Sequence, residues 1–287
     1  MSNLSVAVLL TCHNRKEKTL ACLECIHMQK GIEAIDMEVY VVDDGSMDGT
    51  WDAIERLYPK VKLIKGNGDL FWAGGMRLAW NKALKDRSFD YFWLINDDTH
   101  IYVEALLNLL KADEFSIKEF CKQGIYVGST IDPTTKRHSY GGQKLIRKDN
   151  YASERVLPNE TYQICQFCNA NILFVTALVV EKIGILCEGY THSIADYDYS
   201  MQAFNAGFPV LVLPEYCGEC INDHKTETSL KSKPLIKRIQ YLYSSKGFAY
   251  KEFIYFVRKF FPSRYLNTAL TLWIRTIFPT LWEKYKA

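Results

Sequence analysis

Two apolar runs in this chain drive straight into acidic residues. Tyr40 to Ile54 reads YVVDDGSMDGTWDAI and Tyr91 to Ile101 reads YFWLINDDTHI. Runs rich in β-branched and aromatic residues, Val6 to Thr11, Glu38 to Val42, Val61 to Lys65 and Tyr91 to Ile95, predict strands. Between them Arg15 to Met28, Gly49 to Leu57 and Gly75 to Lys85 carry apolar residues at helical spacing, with Ser46 and Asp48 where helix caps belong. Strand and helix in alternation predict a doubly wound, mostly parallel α/β sheet. In such a sheet ligands bind beyond the carboxyl ends of the strands. Asp43 and Asp44, and Asn96, Asp97 and Asp98, all fall at that edge.

Past Ile101 the pattern loosens. A helix is expected near Tyr102 to Leu110, strands at Ile125 to Thr130 and Asn171 to Val175, a helix over Asp196 to Asn205 with Gly207 as its stop, and a short strand over Pro209 to Leu213. The 287 residues suit one α/β domain with an appendage. The boundary is expected at 232/233, giving a catalytic domain over 1–232 and a basic, aromatic-rich helical extension over 233–287. From Pro234 onward ten Lys and Arg face only Glu252 and Glu283, so this tail is +8 and the remainder −6. Such a tail suits either an anionic membrane surface or the protein's own acidic body. The overall net charge of +2 gives no reason to expect a nucleic-acid partner.

No basic leader with a small-residue cleavage site opens the chain, and no segment approaches ~20 uninterrupted apolar residues. The expectation is a cytoplasmic protein, either free or peripheral on the inner face of the cell membrane. Nine cysteines without an export signal suit reduced thiols. Cys165 and Cys168 with Cys217 and Cys220 leave a zinc site as an alternative to simple packing.

Two acidic clusters brought to one edge repel by ~4 kcal/mol per pair of unit charges at 4 Å and an effective dielectric near 20, so something positive belongs between them. A divalent cation, Mg²⁺ or Mn²⁺, would fill that place and hold a diphosphate. The alternative is that Asp43, Asp44, Asp48, Asp97 and Asp98 only cap helices and turns. Gly74 and Gly75 ahead of a helix would offer backbone N–H groups to phosphate or sugar oxygens, with Arg77 as a fixed charge.

Four blocks in order carry a resemblance: TCHNR at Thr11 to Arg15, VVDDGSMDGT at Val41 to Thr50, GNGDLFWAGGMRLAWNKAL at Gly66 to Leu84, and LINDDT at Leu94 to Thr99. Together they resemble family 2 nucleotide-sugar glycosyltransferases, particularly rhamnosyltransferase-like bacterial members. The likeness runs from about Ser5 to Thr99, resumes near Cys168 and continues to about Ser229. It implies a GT-A fold and transfer of a hexosyl or rhamnosyl group, with inversion, from a UDP- or dTDP-sugar to a glycan or lipid-linked acceptor in surface polysaccharide synthesis. A homo-oligomer is compatible with it. The donor would be held by Thr11, His13, Asn14, Arg15, Asp43, Asp44, Gly66, Gly74, Gly75, Arg77, Asn96 and Asp97, with Trp72 stacked on a sugar or simply buried.

The family's metal motif falls on Asn96, Asp97 and Asp98, which makes Asp98 the principal metal ligand, with His224 as a second candidate. Inversion needs a base for the acceptor hydroxyl. The family's base block matches ADYDYSMQA, Ala195 to Ala203, and points to Asp196. Ala195 replaces the usual first acid and Gln202 the usual arginine, so Asp198 stands as a second candidate. These departures also leave open a noncatalytic sugar-nucleotide-binding or scaffold protein, with a nucleotidyltransferase as a further alternative.

Overall fold

A computed structural model describes residues 4–222, 232–245, 247–280 and 282. The first apolar run forms β1 (Leu4–Cys12), with Val6, Val8 and Leu10 in one core and Ala7 and Leu9 in the other. Burial on both faces is the mark of a central strand in a covered parallel sheet. There follow α1 (Lys16–His27), β2 (Ile35–Asp43), α2 (Thr50–Leu57), β3 (Lys62–Lys65), α3 (Phe71–Asp86) and β4 (Tyr91–Ile95). β1 pairs in parallel with both β2 and β4, and β2 with β3, so the order is β3-β2-β1-β4. Cys12 lies opposite Asp43, and Asp43 opposite Lys65, which brings the strand ends to one edge.

The chain continues through β5 (His100–Ile101), α4 (Ala105–Phe120), β6 (Ile125–Ile131), β7 (Gly142–Leu145), β8 (Ser153–Arg155), β9 (Gln163–Ile164), β10 (Phe167–Cys168), β11 (Ile172–Thr176), α5 (Ala177–Ile183), α6 (Ala195–Asn205) and β12 (Val210–Glu219). β11 inserts antiparallel between β4 and β6, β12 runs parallel to β6, and β5 and β9 both pair antiparallel with β12. A separate small sheet has the order β10-β7-β8. α4 outlasts its expected end at Leu110 because Asp113 sits on the buried face and interrupts the apolar spacing. Its carboxylate accepts the hydroxyls of Tyr91 at 2.6 Å and Tyr126 at 2.5 Å.

Three helices close the described chain: α7 (Leu235–Tyr243), α8 (Tyr250–Phe260) and α9 (Tyr265–Ile277). Across the expected 232/233 boundary the core is continuous. Phe256, Val257 and Phe261 are buried in the cluster that holds β1, α3 and α6. Each such side chain contributes about 2 kcal/mol by leaving water. Leu266, Leu270 and Ile274 on α9 remain exposed.

The zinc alternative is corrected by the sheet itself. Cys165 and Cys168 belong to the core on one face and Cys217 to the core on the other. Among the described residues no three His, Cys, Asp or Glu side chains converge as a metal site, and all nine cysteines are free thiols.

Candidate active site

At the carboxyl edge of β2, Asp43 and Asp44 are both buried. Asp43 accepts the Ser46 N–H at 2.8 Å. Asp44 accepts three backbone N–H groups, from Gly68 at 2.8 Å, Leu70 at 2.9 Å and Phe71 at 3.0 Å. By gathering three backbone amides this side chain fixes the turn into α3. Gly66 is required here, because a Cβ would lie 2.6 Å from Asp44 Oδ1. His13 donates from Nδ1 to the Asp44 carbonyl at 2.6 Å and accepts at Nε2 from Asn14 at 3.0 Å. That pattern assigns the neutral Nδ1–H imidazole. Asn14 in turn accepts the Met47 N–H at 2.7 Å, so the β1 and β2 loops are tied together.

The glycine pair departs from expectation. α3 starts at Phe71, so Gly74 and Gly75 lie inside it rather than before it. The amides at its start already have partners: Phe71 N–H goes to Asp44, Ala73 N–H to Thr191 O at 3.0 Å, and Gly74 N–H to Leu70 O at 3.1 Å. Gly75 instead serves close packing, since a Cβ would sit 2.1 Å from Thr11 Oγ1 on β1. Arg77 turns to the loop before α6, donating from Nη1 to the carbonyls of Cys187 and Tyr190 at 2.9 Å each. Its burial lowers its pKa.

At the end of β4, Trp72 donates to Asn96 Oδ1 at 2.7 Å, linking α3 to the strand end. Asp97 is buried; it accepts from Arg15 at 3.2 Å and from Thr19 Oγ1 at 3.2 Å. Burial pushes its carboxyl up to about 6 against the opposing pull of Arg15. Asp98 lies nearer the surface and is paired to Arg15 at 2.9 Å and Lys18 at 3.8 Å. Positive charge at the acidic edge therefore comes from the first turns of α1. Lys18 had no sequence signal. His224 lies outside the described residues.

The second acidic segment opens α6. Ile194, immediately before it, holds φ at 72°, a left-handed backbone that strains a β-branched residue. Asp196, a partly exposed residue at the head of the helix, accepts N–H bonds from Tyr197 at 2.9 Å and Ala170 at 3.3 Å, and the Asn169 side chain also bonds to its carboxyl. Burial of its carboxyl group raises its pKa to about 6. Asp198, two residues on, is fully buried. Lys259 on α8 donates to both of its oxygens at 2.8 and 2.9 Å, Tyr190 adds its hydroxyl at 2.8 Å, and Gln202 adds its amide. A carboxylate so enclosed cannot reach an acceptor hydroxyl, which removes it as a base candidate. Lys259 escaped sequence reasoning because it is 61 residues away in a tail of unassigned partner.

Comparisons with known proteins bear on this arrangement. A sequence model of glycosyl transferase family 2 matches residues 7–174. The first 349 residues of S. aureus TarS in complex with UDP superpose with a TM-score of 0.54 at 15% identity, covering 96% of this chain and 79% of that one. Mannosyltransferase PcManGT from Pyrobaculum calidifontis, in complex with GDP-Man and Mn²⁺, superposes with a TM-score of 0.50 at 16% identity over 82% of this chain. This chain spans 60% of the length of that one. At such identities the likeness speaks for the fold, which is GT-A. No curated protein matches the sequence. The family match covers more than half of the residues, and it includes both acidic strand ends: the chain belongs to glycosyltransferase family 2.

Proposed function

We propose that this chain is an inverting transferase that moves a sugar from a nucleotide-diphosphate donor, UDP- or dTDP-linked, to a glycan or lipid-linked acceptor in surface polysaccharide synthesis. The observation that carries this reading is the pair Asp196 and Asp198 on one helix. One carboxylate is anchored by Lys259, and the other heads the helix with its carboxyl raised to about 6 by burial. A base for a hydroxyl proton works best with a pKa near the working pH. The complexes of UDP with TarS and of GDP-Man with the mannosyltransferase support a nucleotide-bound donor by analogy.

In this mechanism the loops bearing Thr11, His13, Asn14 and Asp43 hold the nucleoside, and Arg15 and Lys18 face the diphosphate. Asp44 shapes the loop from Gly66 to Phe71, and Trp72 and Asn96 orient the sugar. Asp98, with Asp97 behind it, fits a hard divalent cation, since Mg²⁺ is commonly held by one or two carboxylates together with substrate phosphates. Mg²⁺ or Mn²⁺ there would neutralise charge on the departing diphosphate. Asp196 takes the acceptor proton as the hydroxyl attacks opposite the leaving nucleotide.

The exposed apolar stripe of Leu266, Leu270 and Ile274, beside the basic residues of the C-terminal helices, supports a peripheral seat on an anionic membrane. No described helix is long and apolar enough to cross one.

Thermal unfolding with UDP, dTDP, GDP and CMP, each with and without Mn²⁺, tests the donor reading. One nucleoside diphosphate at 100 times its dissociation constant should protect by ~2.7 kcal/mol in a metal-dependent way. Asp98→Ala should abolish that protection. Protection by none of the four would sink the proposal.

A further inference from the structure

A polar hollow lies beside the head of α6, against the small sheet. Its wall is the stretch from His138 to Gln143 together with Arg155, Asn169 and Tyr197. The small sheet aims it. Phe167 on β10, Gln143 on β7 and Arg155 on β8 share one rung, and residues directly opposite on antiparallel strands project from the same face. Phe167 stacks flat on Tyr197 with ring centroids 5.3 Å apart, and Gln143 donates to the Tyr197 hydroxyl while accepting from Ser153 at 2.7 Å. That face therefore looks onto the residue next to Asp196. Asn169, in the same wall, interacts through its side chain with both Asp196 and Tyr197.

Charge in the hollow is one-sided. Arg147 and Arg264 both pair with Asp149, and Arg87 with Asp36 and Glu38. Arg155, among the described residues, has no carboxylate within ion-pair distance; its one bond is to the His138 carbonyl at 3.4 Å. The His138 ring adds a neutral contact, because burial pushes its pKa down to about 4. Its Nδ1 is buried and meets no protein partner. The rest of the wall is amide and phenol, the groups that bind sugar hydroxyls.

We propose that this hollow is a subsite for an acceptor residue that carries a negative charge, with Arg155 pairing to the anion while a neighbouring hydroxyl of the same residue is presented to Asp196. The inference rests on the transferase reading and names the acceptor's chemical class, a polyhydroxylated unit bearing a carboxylate or a phosphate. A guanidinium matches both anions with two parallel N–H bonds.

The test is direct binding to the full chain, read by ligand-observed NMR, with methyl glucuronoside and glucose 6-phosphate as charged probes and methyl glucoside as the neutral one. At least one charged probe should bind roughly tenfold or more tightly than methyl glucoside. Arg155→Gln should erase that gap while leaving the neutral affinity within about twofold, and Arg155→Lys should keep part of it. The better charged probe identifies the source of the anion. Equal binding of charged and neutral probes, or a gap that survives in Arg155→Gln, overturns the inference. Nucleoside diphosphate protection, measured on the same samples, judges the transferase reading separately: protection without a charge preference fails the acceptor inference alone.

Discussion

The edge of the parallel sheet and the head of α6 solve the same problem in different ways. Each region carries more than one carboxylate and makes one of them structural. At the sheet edge Asp44 is held by three backbone amides, and Asp98 pairs with Arg15. At α6 Asp198 is held by a side-chain cation from a distant helix, and Asp196 sits at the helix head on backbone N–H groups. Amides come with the local chain, so the first device is complete within residues 44–71. The second needs α8 in place, which makes the head of α6 dependent on long-range docking.

The comparison can be tested hardest by removing the carboxylate at the head of α6. Asp196→Asn should fold and lose about 10²- to 10⁴-fold in kcat/KM, the usual worth of a general base. Steady-state kinetics with circular dichroism checks both halves of this expectation, and full activity would move the base elsewhere. Next comes the anchor. Asp198→Ala strips Tyr190, Gln202 and the partly exposed Lys259 of their shared, fully buried acceptor and should cost ~3–5 kcal/mol of stability. Replacing both, as Asp198→Leu with Lys259→Met, should recover much of that loss in urea unfolding.

Asp44→Ala should cost less, ~2–3 kcal/mol, because loop amides can turn toward solvent when their acceptor is lost. An equal loss for Asp44→Ala and Asp198→Ala would erase the distinction between local and distant anchoring. The smallest effect lies in pH. Asp196 and Asp97 both have carboxyls raised to about 6 by burial, so each is protonated below that pH. A base must be deprotonated, and kcat/KM should therefore fall about tenfold per unit below pH 6 and level off above it. Asp97→Asn should keep this acid limb if it belongs to Asp196; its disappearance would assign the limb to the sheet edge.

The same contrast sets what could be read in advance. β4 occupies the expected Tyr91 to Ile95 residue for residue, because a fully apolar run bounded by acids has one reading. The sheet-edge carboxylates were legible for the same reason: their neighbours in space are their neighbours in sequence, or lie at equivalent strand ends. α3 began earlier than expected because its glycines satisfy packing against Thr11 rather than marking a helix start. The small sheet was missed altogether. Its strands are two to four residues long, too short to show a period. Arg155 and Asn169 gain meaning only from that sheet. Lys259 was counted merely as one charge in a basic tail, since nothing local pairs it with Asp198.

The bond between Asp198 and Lys259 also orders events in time. Translation makes Asp198 first, and 61 positions separate it from its partner. At ~5–20 residues per second the interval is roughly 3 to 12 seconds. Throughout it a carboxylate destined for the core has no counter-ion, and Phe256 and Phe261 are not yet present to cover Phe167. The head of α6 thus takes its working shape only after α8 has been made, and an unfinished chain has no competent site with which to spend donor sugar.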